Sequence, residues 1–206
     1  SIGFTMEQIR EYLEHHTVSS SLSMLEDEKE AITKQMQHLQ KLQKNVEHRL
    51  NTIHSAFSLP LDEIHLMTLP PRHCHRLFEG YKHEEEMDFL MKQLINLNQN
   101  RLYIIGSNQM GTMISLPSLL KKKTLSYQSV FLIDEEGSDL IDGGDYLCVT
   151  YRGNYEQSAY WGQQLAQYAH AHKFKIRGDL LEILWIDIHT TSDESEYITQ
   201  LQLPIA

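Results

Sequence analysis

A single acidic residue, Glu182, lies inside the apolar run of residues 180–186. Side chains alternate between the two faces of a strand, so Glu182 shares a face with Leu184 and Ile186. A carboxylate shielded from water is best compensated by a positive charge, which makes Glu182 a candidate contact for a cationic ligand. Two other roles stay open: a surface carboxylate at the start of a strand, or the partner of a buried arginine such as Arg152.

Aromatic residues lie close to the predicted turns of the same region. Tyr151 and Tyr155 flank the turn that leads into a helix, and Phe78 and Tyr81 hold the corresponding place after an earlier strand. Trp161 follows helical spacing and is expected to face the sheet, from where it can still reach the rim of a pocket. Aromatic faces attract cations by about 0.5–2 kcal/mol per contact. Each ring alone is more typical of a core, but together they favour a flat, unsaturated ligand.

The sequence gives only weak support to a metal site, a nucleic-acid site or a catalytic site. In a strand, His73 and His75 would share one face and Cys74 the other, and no second ligand cluster is evident, so we expect no metal site. The lysines at 121–123 form too short a basic run to indicate nucleic acid. Phosphate loops, nucleophile elbows and paired catalytic carboxylates are absent from the sequence. We therefore expect no cofactor and no catalytic residues, although 12 histidines and many acids keep an enzyme possible.

The region after Pro60 alternates between strand-like and helix-like patterns and falls into two similar halves. Each half predicts a strand, a helix and two more strands, which indicates a pseudo-symmetric α+β domain. The first half has a strand at 64–78 interrupted by Pro70-Pro71, a helix at 84–97, and strands at 102–116 and 127–133. The second half has a strand at 145–151, a helix at 156–172, and strands at 181–188 and 197–203. The joint at 134–145 has six acids and no base and is expected to be a solvated loop.

A heptad repeat precedes this domain. After a break in the pattern at 17–21, where serines 19–21 can cap a helix, ten seam positions follow one another in alternating steps of three and four. Eight of them are apolar: Leu22, Leu25, Ile32, Met36, Leu39, Val46, Leu50 and Ile53. The other two are Lys29 and Gln43. The pattern predicts a coiled-coil dimerisation helix over 17–58, of which the span 19–57 alone would be roughly 58 Å long. A long helix packed within its own chain remains the alternative.

Composition limits the class of protein. The 206 residues carry a formal net charge of −10, the wrong sign for a chain that holds DNA by neutralising phosphates. The sequence contains no apolar run long enough to span a bilayer, and its two cysteines have no metal-type spacing. We expect a cytoplasmic protein that does not contact membranes.

The start of the chain, IGFTMEQIREYL at residues 2–13, resembles the last helix of the DNA-binding domain of MerR-type transcription regulators. The heptad helix is similar to the dimerisation helix of that family, and 62–206 resembles the gyrase-inhibitor-like effector-binding domain of its multidrug-sensing members. The resemblance implies three parts: 1–16 as the last helix of the DNA-binding region, 17–58 as the coiled coil, and 62–206 as the sensor. The winged helix-turn-helix of the family would precede this chain, so DNA contact is expected only through that missing domain.

The resemblance also implies a mechanism. Family members hold ligands between the two halves with aromatic walls and an acid on a strand of the second half, which matches Glu182. Tyr197 matches a pocket tyrosine by its spacing from that acid. The chain would form an antiparallel homodimer that senses a small aromatic or cationic molecule and is not an enzyme. A hydrolase-like enzyme on the same fold, and a domain that sequesters a protein partner, are the alternatives.

Overall fold

The computed structural model describes residues 17–80, 84–97, 109–121 and 125–206. The predicted helix near the start of the chain and Tyr81 lie outside these ranges. The chain divides into two compact units, Ser1–Glu47 and His48–Ala206.

Helix α1, Val18–Ala56, is a single helix of 39 residues. Thr17 caps it, because the Ser20 amide donates to Thr17 Oγ1 at 3.1 Å while the Thr17 amide donates to Ser20 Oγ at 2.8 Å. The helix therefore begins before the serines at 19–21: Thr17 takes the N-cap position that was predicted among them, and Ser20 completes the cap from the first turn. Seven of the eight apolar seam residues, from Leu22 to Leu50, are 41% to 62% exposed, whereas Ile53 is half-buried. The predicted stripe thus exists as an apolar surface.

Within the described ranges, eight strands and three further α-helices follow. Their bounds are β1 His65–Leu69, β2 Arg72–Leu77, α2 Glu84–Leu97, β3 Met110–Ile114, α3 Leu116–Leu120, β4 Tyr127–Ile133, β5 Asp139–Ile141, β6 Gly144–Arg152, α4 Gln157–Ala171, β7 Leu180–Ile186 and β8 Ile198–Pro204. A 3₁₀ turn, Glu194–Glu196, precedes β8. Among the described residues, no helix is both long enough and apolar enough to cross a bilayer.

The strands form one antiparallel sheet in the order β1-β6-β8-β7-β3-β4-β2-β5. This order is symmetric about its centre. The strands β6, β8 and β7 occupy positions equivalent to those of β2, β4 and β3, respectively. The pseudo-twofold axis therefore passes between β3 and β7. Their register centres on the pair Thr112 and Glu182, since Met110 faces Leu184 and Ile114 faces Leu180. The predicted α+β fold with two similar halves is confirmed.

Both long helices of the domain cover one face of the sheet. Helix α2 contributes Met87, Leu90 and Leu94 to one cluster, and α4 contributes Leu165 and Ala169 to another. The opposite side chains of the strands form a third cluster, to which no helix among the described residues contributes. Its members include Cys74, Phe131, Tyr146, Cys148, Leu181 and Ile183. Both strands of the pair β3–β7 are thus covered on both faces of the sheet.

Three local predictions were wrong. The acidic joint is not only a loop, because β5 lies within it, pairs with β2 and buries Ile141. The predicted strand at 102–116 ends at Ile114, and Leu116 opens helix α3, whose first turn accommodates Pro117. Strand β7 ends at Ile186 rather than at 188, because the Asp187 carboxylate accepts the amide of His189 and turns the chain.

Candidate functional site

Glu182 lies at the centre of the β3–β7 pair and is 1% exposed. The surface role left open for it is therefore wrong. Arg152, the arginine considered as its partner, is exposed, and its Nε donates to the carbonyl oxygen of Ser195 at 2.9 Å. Glu182 is thus a carboxylate held inside the domain.

Hydroxyl groups surround the Glu182 carboxylate. Thr112 Oγ1 donates to Oε2 at 2.8 Å, and the Ser158 hydroxyl donates to Oε1. Ser158 Oγ in turn lies 2.6 Å from the Tyr151 hydroxyl. With Ser158 donating to Glu182, the Tyr151 hydroxyl donates to Ser158, which forms a relay of hydrogen bonds to the carboxylate. Hydrogen bonds to a buried acceptor reduce the cost of its burial.

Two tyrosines pack next to this carboxylate. Tyr155 and Tyr197 stack at 5.3 Å between ring centroids and are 7% and 5% exposed. They share one cluster with Leu184, with Met110, Val130 and Leu132 of the sheet, and with Met87, Leu90 and Leu94 of α2. We call this set the tyrosine cluster. Since Glu182 and Leu184 occupy the same face of β7, the acid lies at the edge of the cluster.

The Tyr155 hydroxyl is buried and has no hydrogen-bond partner in the described part of the chain. Burial raises the pKa of Tyr155 strongly, and the charges of Asp187 and Glu182 raise it further. Tyr155 therefore remains a neutral donor whose proton is directed at no oxygen of the described residues. A buried polar group left in this way costs about 1–3 kcal/mol, which makes Tyr155 the least securely held ring of the cluster.

The other predicted ligand residues are spread more widely. Tyr151 is fully buried and contacts the site through Ser158. Trp161 packs against the cluster formed by α4 and the sheet. Phe78 is 69% exposed, with the Arg76 guanidinium 5.3 Å above its ring. The structure thus brings Glu182, Leu184, Tyr151, Tyr155 and Tyr197 together and leaves Phe78 and Trp161 outside this group.

Sequence reasoning missed the two hydroxyl partners of Glu182. Thr112 and Ser158 come from β3 and from the first turn of α4, and neither stands in a recognisable motif. The pseudo-symmetry offered the one available signal. Once β3 is equated with β7, Thr112 becomes the counterpart of Glu182 across the axis.

A cavity of about 200 Å³ lies on the opposite side of the sheet. Arg76 and Arg177 line it together with Asp142 and Asp179, so its charges balance. None of the predicted ligand residues that the structure describes contributes to it. Its mixed lining favours neither an anion nor a cation.

No protein-family model matches this chain, and no curated protein matches it. Solved structures do. EcmrR in its complex with DNA superimposes with a TM-score of 0.59 at 15% identity, covering 99% of this chain and 78% of EcmrR. The isolated C-terminal domain of EcmrR gives a TM-score of 0.53 at 15% identity, covering 70% of this chain and 97% of that domain.

A hydrolase from Listeria innocua is a weaker likeness, with a TM-score of 0.45 at 10% identity over 74% of this chain and 96% of the hydrolase. A superposition of this quality carries no argument about chemistry. EcmrR is a MerR-family regulator. The chain therefore shares the fold of EcmrR and of its C-terminal domain, which agrees with the fold that the sequence resemblance predicted.

Proposed function

We propose that this chain, with the fold of a MerR-type effector-binding domain, is the sensing and dimerising part of a transcription regulator that binds small aromatic or cationic molecules. Residues 62–206 would form the sensor, 17–58 the dimerisation helix, and 1–16 the last helix of the DNA-binding region. With a net charge of −10, the chain would contact DNA only through a further, N-terminal domain. Its two free, buried cysteines agree with a cytoplasmic location.

The buried Glu182 carboxylate is the observation that carries the ligand proposal. A lipophilic cation placed beside it gains the attraction of a desolvated charge and of the faces of Tyr155 and Tyr197. Neutral aromatic molecules gain only the contact with the rings. Glu182 is therefore the group that would select cations.

Ligand entry requires a movement, because both tyrosines are almost fully enclosed. Tyr155 is the side chain best suited to move. Its hydroxyl gives up no hydrogen bond to the described residues when it leaves, and it gains hydrogen bonds to water outside. The enclosed state and the opened state are then the two conformations between which a ligand selects.

Titration calorimetry with tetraphenylphosphonium and with neutral triphenylphosphine oxide tests the proposal. In Glu182→Gln we expect about tenfold or greater loss of affinity for the cation, since hydrogen bonds and contacts to charged groups contribute about 1.5–3 kcal/mol. Affinity for the neutral compound should stay within about threefold. Glu194→Gln, which removes an exposed acid, is the matched control and should leave both affinities unchanged.

Equal loss for both compounds in Glu182→Gln would contradict the charge role, and absence of binding to the unsubstituted chain would contradict the choice of ligand class. A product released from either compound would instead indicate an enzyme.

The exposed seam of α1 supports the second half of the proposal. Leu22, Ile32 and Leu39 present apolar side chains to solvent at heptad spacing. Each large apolar side chain that becomes fully buried contributes about 1.5–3 kcal/mol, so a second copy of the helix would stabilise this surface.

A further inference from the structure

The last turns of α1 pack on the ends of two strands that carry the candidate site. Ala56 is buried with Ile186 and Ile198, and Ile53 packs against them. Ile186 pairs with Ile198 across β7 and β8. Ile186 follows Leu184 by two residues, and Ile198 directly follows Tyr197. The helix therefore contacts the backbone segments that hold the tyrosine cluster in place.

A polar contact accompanies this packing. Arg49 of α1 forms an ion pair with Asp187 at 4.0 Å, and their side chains are only 17% and 5% exposed. Arg49 also donates a hydrogen bond to Thr190 Oγ1, and Thr190 donates to Asp187 Oδ1 at 3.0 Å. The same oxygen of Asp187 accepts the His189 amide at 3.2 Å. Asp187 is thus fixed between the end of β7 and the helix.

A loop connects Asp187 to the candidate site, in which the rings of Tyr155 and Tyr197 stack at 5.3 Å between centroids. The loop that begins at Asp187 returns to Tyr197, whose carbonyl oxygen accepts the Gly153 amide at 2.9 Å. Gly153 precedes Tyr155 by two residues. Tyr155 is therefore connected to the loop that Asp187 begins, both through the stacked ring of Tyr197 and through the backbone.

We propose that Asp187 is a positioning residue that couples the state of Tyr155 to helix α1 through its ion pair with Arg49. The inference rests on the proposed function and names how that site is regulated. Moving Tyr155 out of the cluster breaks its stack with Tyr197 and changes the backbone contact at Gly153, so it disturbs the far end of the loop that Asp187 anchors. The contacts of Asp187 with Arg49 and Thr190 then have a different strength in the two states. Because coupling is reciprocal, a change at Arg49 must also change the site.

Amide hydrogen exchange of the whole chain, with and without tetraphenylphosphonium, tests the first direction. In the unsubstituted chain the cation should change the exchange rates of residues 48–56 at least threefold. Arg49→Gln and Asp187→Asn should lose that response while still binding the cation. Lys44→Gln, which changes an exposed basic residue on the same helix, should retain it. A full response in Arg49→Gln would overturn the proposal.

The effect of helix α1 on the site can be tested without a ligand. Arg49→Gln should speed exchange of the Gly153 and Ser158 amides at least threefold, since they bond to the carbonyl oxygens of Tyr197 and Tyr155. Lys44→Gln should not. Unchanged exchange at these two amides in Arg49→Gln overturns the coupling, whether or not a cation binds. If the cation fails to bind the unsubstituted chain, the proposed function fails separately. Arg49→Gln removes a half-buried surface contact, so the test remains valid if Asp187→Asn does not fold.

Discussion

Helix α1 exposes apolar side chains to solvent, whereas the strand pair β3–β7 buries polar ones. Between Leu22 and Leu50 the helix exposes seven large apolar side chains, whereas the strand pair buries Thr112 and Glu182 at its centre. An exposed apolar stripe is stabilised by a partner of the same kind, and a buried charge by a partner of opposite charge. The comparison teaches that the two regions call for different partners: a second apolar surface for the helix and, under the proposed function, a cation for the acid.

The largest expected effect concerns the helix. Ile32→Glu with Leu39→Glu places two charges on the seam, and we expect the sedimentation mass to fall from dimer to monomer. The matched control is Ala31→Glu with His38→Glu, which adds the same two charges at the same seven-residue spacing on exposed positions outside the seam. This control should remain dimeric. A dimer in the seam variant, or a monomer for the unsubstituted chain, would contradict the coiled coil.

The same truncation should have different consequences in the two regions. Leu165→Ala removes a fully buried side chain of α4, and we expect the free energy of unfolding to fall by about 2–5 kcal/mol. Leu39→Ala removes a side chain that is 62% exposed in the single chain. Its effect should appear only as a weaker dimer, and therefore depend on protein concentration. Urea unfolding at two concentrations distinguishes the two cases, and a concentration-independent loss in Leu39→Ala would place that residue in an intramolecular core.

Alkaline pH should weaken the domain through Cys148. Burial raises the pKa of its thiol to about 12 from an ordinary value of 9.0. The folded state therefore binds the proton more tightly, so the contribution to stability is complete below pH 9 and is lost as the pH rises from 9 towards 12. Cys148→Ala should show a shallower fall in the free energy of unfolding over this window. Parallel curves for the two proteins would exclude the thiol as a cause.

The smallest effect is expected from a charge pair on the helix surface. Lys34 and Glu30 lie 2.6 Å apart with both side chains more than half exposed. The hydrogen bond from Lys34 holds the pKa of Glu30 below its usual value. In Lys34→Gln the pKa of Glu30 should rise to its ordinary value by carboxyl NMR titration, without a measurable change in melting temperature. A lower melting temperature would show that this surface takes part in an interface.

The elements that follow from local periodicity could be predicted closely. The heptad repeat gave a helix over 17–58, and the structure has Val18–Ala56. Alternation placed Glu182 and Leu184 on one face of β7, as the structure has them. The two prolines at 70 and 71 marked the interruption between β1 and β2. These features depend on residues a few positions apart, so one stretch of sequence contains the information.

The features that could not be predicted depend on contacts between residues that are far apart in the sequence. β1 and β2 are neighbours in sequence but lie near opposite ends of the sheet. β1 pairs with β6, whereas β2 pairs with β4 and β5. The acidic residues of the joint are atypical of a strand, so β5 could not be recognised from the sequence. This strand forms because Ile141 packs into the cluster that contains Cys74. The hydroxyl partners of Glu182 come from residues 70 and 24 positions away. The burial of Glu182 is decided by these remote groups rather than by its neighbours in sequence.

The central position of Thr112 and Glu182 has a consequence for how such a domain can be encoded. Two identical repeats related by a twofold axis must place the same residue on both sides of it. An acid at this position would then face a second acid directly across the strand pair, where like charges repel. A threonine would leave the axis without charge. A solitary carboxylate at the axis is available only to a chain that carries both repeats and can let them diverge. Fusion of the repeats into one polypeptide is therefore a precondition for a single negative charge at this position.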